Sequence, residues 1–534
     1  MKGDFSRVSF DPRHHFSQVL LQQGRVTLDA DPNEQGAILL HYLRTLALDL
    51  FGPYAAPAGN PGFGLSLADD GGTLGLRIGA GRYYVQGMLC ESDGCDYLAQ
   101  PHYTPADGKD GPVDALRRWL GASSRDGTRF WVYLEAWERH VTSIEMPHLR
   151  EVALGGPDTC SRSQVVWQVR AVDLAEVDKR LQARIERWKK RIEQAQDAAE
   201  QARLQALVDD LQAQLGLLRQ TPEQACAVPL QLFERDAGEM ALQLEPPERL
   251  DDPCVTDPDV AYRGTENHLY RVEIHRGSDS GAPTFKWSRD NGSVLTRWIS
   301  GGGTRLRVAS TRGFAGAQWV ELSDEDDDLL GRPGALCRLA SLDGDELVLA
   351  SDAPRTLTPT SKVRRWDQLE REDIVLDDGA VPLLASSGLE DDWIDLEDGL
   401  QVRFAQDREY RSGDFWYAAV RTTGDTGWPQ DEEGRALPQP PHGPHHHAAP
   451  LGFVGLNVDG MPGVFASCAC TVYPASTCGV LGQRMNNALA PMNALVAAQP
   501  LAAPQPATPA PAPPKPVLAD AVAKTRTVRK RKEG

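Results

Sequence analysis

The residues best suited to bind a metal form a histidine-rich loop. It reads Pro-His-Gly-Pro-His-His-His and contains His442, His445, His446 and His447. Imidazole nitrogens are common ligands of zinc, nickel and iron, so this loop is the candidate metal site of the chain. Adjacent histidines in one proline-rich loop cannot all face the same ion, and no cysteine or carboxylate follows at a recognisable ligand spacing. We therefore expect a structural or solvent-exposed loop and no cofactor, with metal binding as the alternative.

Two further groups of residues have metal-binding chemistry without a known ligand spacing. Cys468, Cys470 and Cys478 could supply three thiolates, but the sequence lacks the paired Cys-x-x-Cys motifs of structural zinc sites. The acidic run at 324–328 lacks the alternating spacing and the distal glutamate of a calcium-binding loop. We interpret the cysteines as buried or loop thiols and the acidic run as a solvent-exposed turn.

No motif in the sequence indicates a catalytic mechanism. The nucleophile motif of serine hydrolases, the His-Glu-x-x-His motif of metalloproteases and the phosphate-binding loop are missing. A pair of carboxylates that meet only in space could still cleave glycosides. The tryptophans that could form platforms for sugars are Trp287, Trp298, Trp393, Trp416 and Trp428. Because tryptophan in strand-like runs usually belongs to the core, we predict that the protein is not an enzyme.

Composition and charge narrow the class of protein. The 534-residue chain is 41% hydrophobic and 25% charged, and its 49 glycines and 38 prolines favour short strands and turns over helical bundles. The formal net charge is −19, although the last eleven residues hold six basic side chains. An acidic body repels phosphate, so we expect no nucleic-acid binding by the folded part. Nine scattered cysteines fit a reducing compartment better than a disulfide framework.

The sequence shows no targeting or membrane segment. Its first residues lack the apolar core of a signal peptide, and no uninterrupted apolar run approaches the about eighteen residues of a membrane span. We therefore expect the protein to fold in the cytoplasm without membrane insertion. Release would require cell lysis or another machine.

The strongest local signal lies in the first fifty residues. An apolar arm leads to a tight turn at Gly24, and Asp-Pro-Asn-Glu at 31–34 predicts a helix with Asp31 as N-cap and Glu34 in a capping box. Apolar residues then recur every three or four positions until Gly52. Such an arm and helix need a surface to pack against, either the protein's own core or a neighbouring subunit. The residues assigned to assembly are Gly24, Arg25, Asp29, Asp31, Asn33 and Glu34.

Residues 172–222 differ from the rest of the chain. They are rich in alanine, glutamine, leucine, glutamate and arginine, and they contain no proline before Pro222. Apolar residues follow a heptad spacing at Leu181, Ile185, Trp188, Ile192, Ala195, Ala199 and Ala202. Because the register shifts near 201–203, the segment is predicted to form either one long coiled-coil helix or a helical hairpin.

The remaining chain alternates in short runs typical of antiparallel strands. The predicted fold is therefore a mainly β, multi-module protein with small barrels or sandwiches, an N-terminal amphipathic helix and the inserted helical segment. Asn291-Gly292 supplies the turn of the best hairpin. The predicted divisions are 1–56 (N-terminal arm and anchoring helix), 57–171 (β domain), 172–222 (coiled-coil helix or helical hairpin), 223–300 (β region with the hairpin 284–299), 301–370 (small all-β module), 371–490 (C-terminal β region) and 491–534 (disordered basic tail rich in alanine and proline).

Four long blocks have a distinctive order of residues. They are MKGDFSRVSFDPRHHFSQVLLQQGRVTLDADPNEQ at the start, LEAWERHVTSIEMPHLREVALGGPDTCSRSQVVWQV from Leu134, YRGTENHLYRVEIHRGSDSGAPTFKWSRDNGSV from Tyr262, and YRSGDFWYAAVRT from Tyr410. Across about residues 1–455 the sequence resembles an uncharacterised bacterial domain family that is often encoded beside phage-tail-like contractile injection systems. The arm, the Gly-Arg turn and the segment GAGRYYVQG are also similar to tail-appendage proteins of contractile phages.

These resemblances imply a non-enzymatic structural component of a contractile injection system or phage-tail-like particle, in its baseplate or in a tail appendage. The N-terminal arm and helix would attach it to other particle proteins, and the second similarity favours a homo-oligomer, specifically a trimer. Two alternatives stay open, a glycan- or surface-binding adhesin module and a carbohydrate-active hydrolase.

Overall fold

Short strands dominate the chain, as the sequence predicts. The computed structural model describes residues 1–70, 73–103, 114–156, 158–195, 197–245, 262–371, 374–383, 393–406, 408–457 and 459–473. Cys478 and the predicted tail at 491–534 lie outside the described residues.

Helices are few in the described residues. The α-helices are α1 (Ala30–Phe51), α2 (Ala115–Gly121), α3 (Leu174–Gln194), α4 (Ala198–Gln220) and α5 (Glu325–Leu330). Short 3-10 helices occur at Pro12–His14, Tyr97–Ala99, Pro147–Leu149, Val152–Leu154, Pro222–Gln224 and Val228–Leu232. None of the described helices combines the length and the apolar composition that crossing a membrane requires.

The strands are numbered in chain order. They are β1 (Tyr54–Pro57), β2 (Leu65–Asp70), β3 (Thr73–Ile78), β4 (Gly81–Val85), β5 (Met88–Ser92), β6 (Cys95–Asp96), β7 (Phe130–Val141), β8 (Arg162–Asp173), β9 (Met240–Leu244), β10 (His268–Arg276), β11 (Thr284–Ser288), β12 (Leu295–Gly302), β13 (Arg305–Val308), β14 (Trp319–Ser323), β15 (Ala335–Asp343), β16 (Glu346–Leu349), β17 (Lys362–Trp366), β18 (Val381–Pro382), β19 (Ile394–Asp395), β20 (Leu400–Phe404), β21 (Phe415–Val420), β22 (His447–Leu456), β23 (Pro462–Ser467) and β24 (Thr471–Val472).

These strands form five open sheets and one closed barrel within the described residues. The sheets have the strand orders β24-β1-β4-β5, β2-β3-β6, β23-β22-β7-β8, β18-β11-β10-β21 and β19-β20-β9, and the barrel runs β12-β13-β16-β15-β14-β17. The first three sheets enclose one apolar core, and the last two enclose another. The fold-class prediction is confirmed, because a small barrel and several small sheets accompany an N-terminal helix.

The long strand β7 explains how the helical insertion is held. Alternate residues of β7 point to opposite faces of the sheet. Phe130, Val132 and Leu134 therefore enter the core shared with the N-terminal sheets, whereas Trp131 faces α3 and α4. Because both faces of β7 are covered, its sequence is an almost continuous run of apolar residues.

Helices α3 and α4 form a helical hairpin, one of the two predicted alternatives. Asp173 caps α3 by accepting a hydrogen bond from the Ala175 amide at 2.9 Å, and Asp197 caps α4 by accepting one from the Ala199 amide at 3.0 Å. Because α3 ends at Gln194, the predicted heptad spacing does not continue along one helix. The apolar face of the hairpin packs on the protein's own sheet.

The predicted hairpin at 284–299 is not formed. Its turn has the expected positive φ angles, 51° at Asn291 and 64° at Gly292. However, β11 pairs with β10 and β18, whereas β12 pairs with β13 and β17 in the barrel. Local alternation identified both strands and the turn, but it does not determine which strand each one pairs with.

The acidic run at 324–328 is also not a simple solvent-exposed turn. Asp324 caps the short helix α5, and a reciprocal capping box joins it to Asp327 at 3.0 and 3.1 Å. The Arg355 guanidinium binds both buried carboxylates. Asp324 and Asp327 are therefore paired within the protein.

The predicted C-terminal β region, 371–490, lies within the described residues only as far as 473, and this part is divided between the sheets around the two apolar cores. Strands β20 and β21 pair with β9 and β10, but β22 and β24 return to pair with β7 and β1. One further contact joins distant segments, a disulfide between Cys226 and Cys468. The prediction that Cys468 is a thiol is therefore wrong. The free cysteines of the described residues are Cys90, Cys95, Cys160, Cys337 and Cys470.

Buried charges join the barrel to the sheet of β10 and β11. Lys286 lies 2.5 Å from Glu321 and 3.4 Å from Glu273, and its ammonium lies 4.5 Å from the ring centre of Trp366. Glu321 also accepts hydrogen bonds from the Trp366 indole at 2.8 Å and from the Gly334 amide at 2.9 Å. Burial raises the pKa of Glu321, but the charges of Lys286 and Lys2 together outweigh this effect and hold that pKa well below its usual range.

We expect Glu321→Gln to lower the free energy of unfolding by about 3–5 kcal/mol, because it leaves the buried Lys286 without its nearest counter-charge. Urea denaturation followed by tryptophan fluorescence measures this difference. The matched control is Glu346→Gln, whose carboxylate binds the half-exposed Arg305 at 2.7 Å. It should change stability by less than about 1 kcal/mol. Equal effects of the two substitutions would contradict the role assigned to the buried pair.

Candidate assembly surface

The first three residues are fixed to the protein's own body. The Asn291 side-chain amide donates to the carbonyl oxygens of Met1 and Gly3, both at 2.9 Å. The Lys2 ammonium lies 2.9 Å from the buried Glu273 carboxylate. Residues 1–3 therefore form an anchor between β10 and the turn before the barrel.

The N-terminal arm, residues 6–28, leaves this anchor and folds back along the start of α1. The Ser6 amide donates to the Asp29 carboxylate at 2.9 Å, and the Ser9 hydroxyl donates to the Glu34 carboxylate at 2.5 Å. Burial raises the pKa of Asp29, but hydrogen bonds from Ser6 outweigh it and lower the pKa overall. Two of the predicted assembly residues, Asp29 and Glu34, thus hold the arm within the same chain.

The helix begins earlier than predicted. Ala30 is its first residue and Asp29 occupies the N-cap position, without a side-chain capping bond. Asp31 lies in the first turn, and its carboxylate accepts a hydrogen bond from the Leu28 amide at 2.9 Å. The Asn33 amide lies 3.4 Å from the Asp29 carbonyl. The predicted N-cap and capping box are therefore wrong, because the Asp31 side chain points back toward the arm.

The predicted turn at Gly24 and Arg25 is present. The Arg25 amide donates to the Gln22 carbonyl at 3.3 Å, and Gly24 has a φ of 72°, which favours glycine. Both residues are exposed.

Most apolar side chains of the arm and of α1 are exposed. Only Ala30 and Ile38 are buried in α1. We call the following set the N-terminal apolar surface: Phe16, Leu20, Leu21, Val26, Leu28, Leu39, Leu40, Tyr42, Leu43, Leu46 and Leu50. Exposed fractions reach 73% at Leu20 and 86% at Val26. So many exposed large apolar side chains within one short segment indicate an interaction site.

The histidine-rich loop lies between β21 and β22, which belong to different sheets. His446 lies 2.8 Å from the Glu135 carboxylate and stacks on the Trp137 ring with 4.8 Å between centres. His447 is the first residue of β22 and pairs with Ala136. Within the described residues, no group of three or more histidine, cysteine, aspartate or glutamate side chains is arranged to hold a metal ion.

His442 and His445 lie on the other side of the same loop. The Nδ1 atom of His442 accepts a hydrogen bond from the Tyr417 amide at 3.2 Å, and the two rings lie 4.3 Å apart. His445 is exposed. Burial lowers the pKa of His442 to about 4 and that of His447 to about 4. His442, His446 and His447 therefore make separate contacts with side chains and backbone of the surrounding strands.

The tryptophans proposed as sugar platforms are mostly inside the protein. Trp287, Trp416 and Trp428 are buried. Trp298 and Trp393 are partly buried, and the Arg403 guanidinium covers Trp393 at 4.6 Å from the ring centre. The glycan-binding hypothesis therefore loses three of its five candidate aromatic residues.

Stability should fall as the pH decreases from 6.5 toward 4. In that range the unfolded chain binds a proton at His442 that the folded protein does not, since folding lowers the histidine pKa from 6.5 to about 4. His442→Asn retains an oxygen that can accept from the Tyr417 amide and removes the titration. The urea midpoint of this variant should therefore fall less between pH 7 and pH 5 than that of the wild type.

The control for this experiment is His14→Asn, which replaces an exposed histidine of the arm. It should reproduce the wild-type difference between the two midpoints. A His442→Asn protein with the same pH dependence as the wild type would show that this histidine does not contribute to acid sensitivity.

Comparisons with known proteins extend over almost the whole chain. A family model described as "Family of unknown function (DUF6519)" matches residues 1–533. No curated protein matches the sequence. A solved structure titled "Crystal structure of TssK" aligns with 74% of this chain and 99% of that chain, at 10% identity and a TM-score of 0.15. A TM-score this low supports no argument about fold or function.

Proposed function

The chain belongs to the DUF6519 family of unknown function, and from this premise we propose that it is a non-enzymatic structural component of a contractile injection system or phage-tail-like particle. It attaches to another particle protein, of the baseplate or a tail appendage, through the N-terminal apolar surface. The single observation that carries the proposal is the concentration of exposed large apolar side chains on this surface.

The apolar content of the surface is large enough to drive association. Removing one leucine side chain from water contributes about 1.5–3 kcal/mol. Leu20 and Leu21 are 73% and 69% exposed, and the apolar stripe of α1 is exposed for most of its length. An isolated protein gains nothing from this exposure, whereas a partner that covers the surface recovers the free energy.

The charge of the arm indicates what the partner surface contains. Residues 12–28 include two arginines and two histidines but no carboxylate, although the whole chain has a net charge of −19. Arg13 is paired with Asp11, which leaves Arg25 as the exposed cation at the turn. The complementary surface is therefore apolar with acidic groups at its edge.

The arm is also held in place before it binds. Ser6 and Ser9 connect it to α1, and the Val19 amide donates to the Gln35 side chain at 2.8 Å. A segment already fixed in one conformation loses less entropy on binding than a free chain does. The proposal includes folding and assembly in the cytoplasm, and a homo-oligomer in the particle, with a trimer favoured by the similarity to tail appendages.

The double substitution Leu20→Glu and Leu21→Glu tests the attachment. Because both side chains are exposed, the variant should keep the wild-type circular dichroism spectrum and urea midpoint. We expect its co-sedimentation with particles from producing cells to fall at least about tenfold. A tenfold loss of affinity corresponds to about 1.4 kcal/mol, and two leucines that the partner buries contribute more than that. Deleting residues 1–50 is a weaker test, because it also removes the anchor at Lys2.

The matched control is Val152→Glu with Leu154→Glu. These residues are 84% and 69% exposed on the loop between β7 and β8, outside the N-terminal apolar surface. The control should co-sediment like the wild type. Wild-type incorporation of the Leu20 and Leu21 variant would refute attachment through the arm, and saturable binding on a glycan array would support an adhesin instead.

A further inference from the structure

The disulfide between Cys226 and Cys468 connects two parts of the fold that are distant in sequence. The two residues are 242 positions apart, and their Cα atoms lie 5.7 Å apart. Cys226 lies between the 3-10 helices that follow α4, and Cys468 comes directly after β23. The bond therefore ties the base of the helical hairpin to the edge of the sheet that the hairpin covers.

Cys468 is also the first residue of a strap that crosses from one sheet to another. We call residues 468–472 the C-terminal strap. At its start the Cys468 amide donates to the Leu451 carbonyl of β22 at 2.9 Å. Further along, the carbonyls of Cys470 and Val472 accept hydrogen bonds from the amides of Ala56 and Ala58, both at 2.8 Å. The strap thus forms β24 beside β1.

Strand β1 lies directly after the helix of the candidate assembly surface. The helix α1 ends at Phe51, and β1 begins at Tyr54. Phe51 packs against Tyr84 of the neighbouring strand β4, with 5.2 Å between ring centres. A change in how firmly β1 is held therefore reaches the C-terminal end of α1.

Few non-covalent contacts hold the strap on β1. Strand β24 has only two residues, Thr471 and Val472, and it pairs in parallel with Ala56 and Pro57. A two-residue pairing is marginal on its own, since paired strands need additional packing to be stable. The nearby disulfide restricts the strap to positions from which this pairing can form.

We propose that the Cys226–Cys468 disulfide is a redox-controlled clasp that holds the C-terminal strap on β1 and thereby stabilises the end of α1. On oxidation each thiol loses a proton and one electron, and a sulfur–sulfur bond forms. The two electrons reduce a small-molecule disulfide to two thiols. A dithiol reverses the step by forming its own disulfide and returning both cysteines to thiols.

Two of the free cysteines in the described residues do not compete for this role. Cys90 and Cys337 are buried, and burial raises their thiol pKa values to about 12 and about 11, which suppresses the reactive thiolate. Cys226 is partly exposed, so a small reductant can reach the clasp. A chain made and assembled in a reducing compartment would therefore carry an open clasp, and closing it on entry into an oxidising compartment would strengthen an attachment already formed.

Hydrogen–deuterium exchange of the full-length protein, with and without dithiothreitol, tests the clasp. The amides of Ala56 and Ala58 report directly on the strap, because they donate to it. We expect their exchange to become at least about tenfold faster on reduction, with a smaller increase at the end of α1. Barrel strands should be unaffected. Differential alkylation and mass spectrometry would identify Cys226 and Cys468 as the residues that become reactive.

Two variants complete the experiment. Cys226→Ser should show the fast exchange without reductant, whereas Cys160→Ser, which removes an exposed free thiol, should behave like the wild type. Equal exchange of Ala56 and Ala58 in both redox states would overturn the proposal. Alkylation of Cys226 and Cys468 in the unreduced protein would also overturn it.

Only the consequence for attachment rests on the proposed function. Particle co-sedimentation of oxidised and reduced protein measures that consequence, and the reduced form should bind less. If the Leu20 and Leu21 variant also co-sediments normally, the proposed function fails while the exchange result for the clasp still stands. If exchange is insensitive to reduction, the clasp fails and attachment through the arm is unaffected.

Discussion

The buried ion cluster between the barrel and the sheet of β10 and β11 constrains the rest of the structure. Lys2, Glu273, Lys286 and Glu321 lie within 3.4 Å of one another in successive pairs. The last three are almost out of contact with water, whereas the Lys2 side chain is 26% exposed. Because a buried charge without a partner costs several kcal/mol, each of these residues must be brought to this place. The cluster therefore fixes the barrel, the sheet and the start of the chain together, and from that start the arm runs to the surface.

Local pattern predicted the types of element well but not their partners. Alternation identified β11, β12 and the turn at Asn291, and yet the two strands belong to different sheets, because the buried Lys286 requires β11 to face the barrel. The helix begins at Ala30, before the predicted start. Asp31 resembles an N-cap in sequence, but its carboxylate accepts from the Leu28 amide, and the Asp29 carboxylate binds the arm. A contact between residues far apart in sequence decided the outcome in both places.

The candidate surface could be predicted only in part. An amphipathic pattern shows that α1 has an apolar face, but it cannot show that its own core covers only Ala30 and Ile38. The disulfide had no sequence signal, since Cys226 and Cys468 are 242 positions apart and neither belongs to a recognised motif. The histidine-rich loop had a clear chemical signal, but its side chains contact separate partners such as Glu135 and the Tyr417 amide.

The helix α1 is therefore held at its two ends by different chemistry. At its start, the arm leads back to Lys2 and the ion cluster, which resists change because every charge in it depends on the others. At its end, β1 depends on a two-residue pairing with the strap and on a bond that a dithiol can break. Between these ends Arg44 pairs with Glu138 of β7 at 2.9 Å, and most of the apolar face is exposed. The presentation of that face thus depends on its weaker end, where a small change in free energy has the largest effect on the exposed helix.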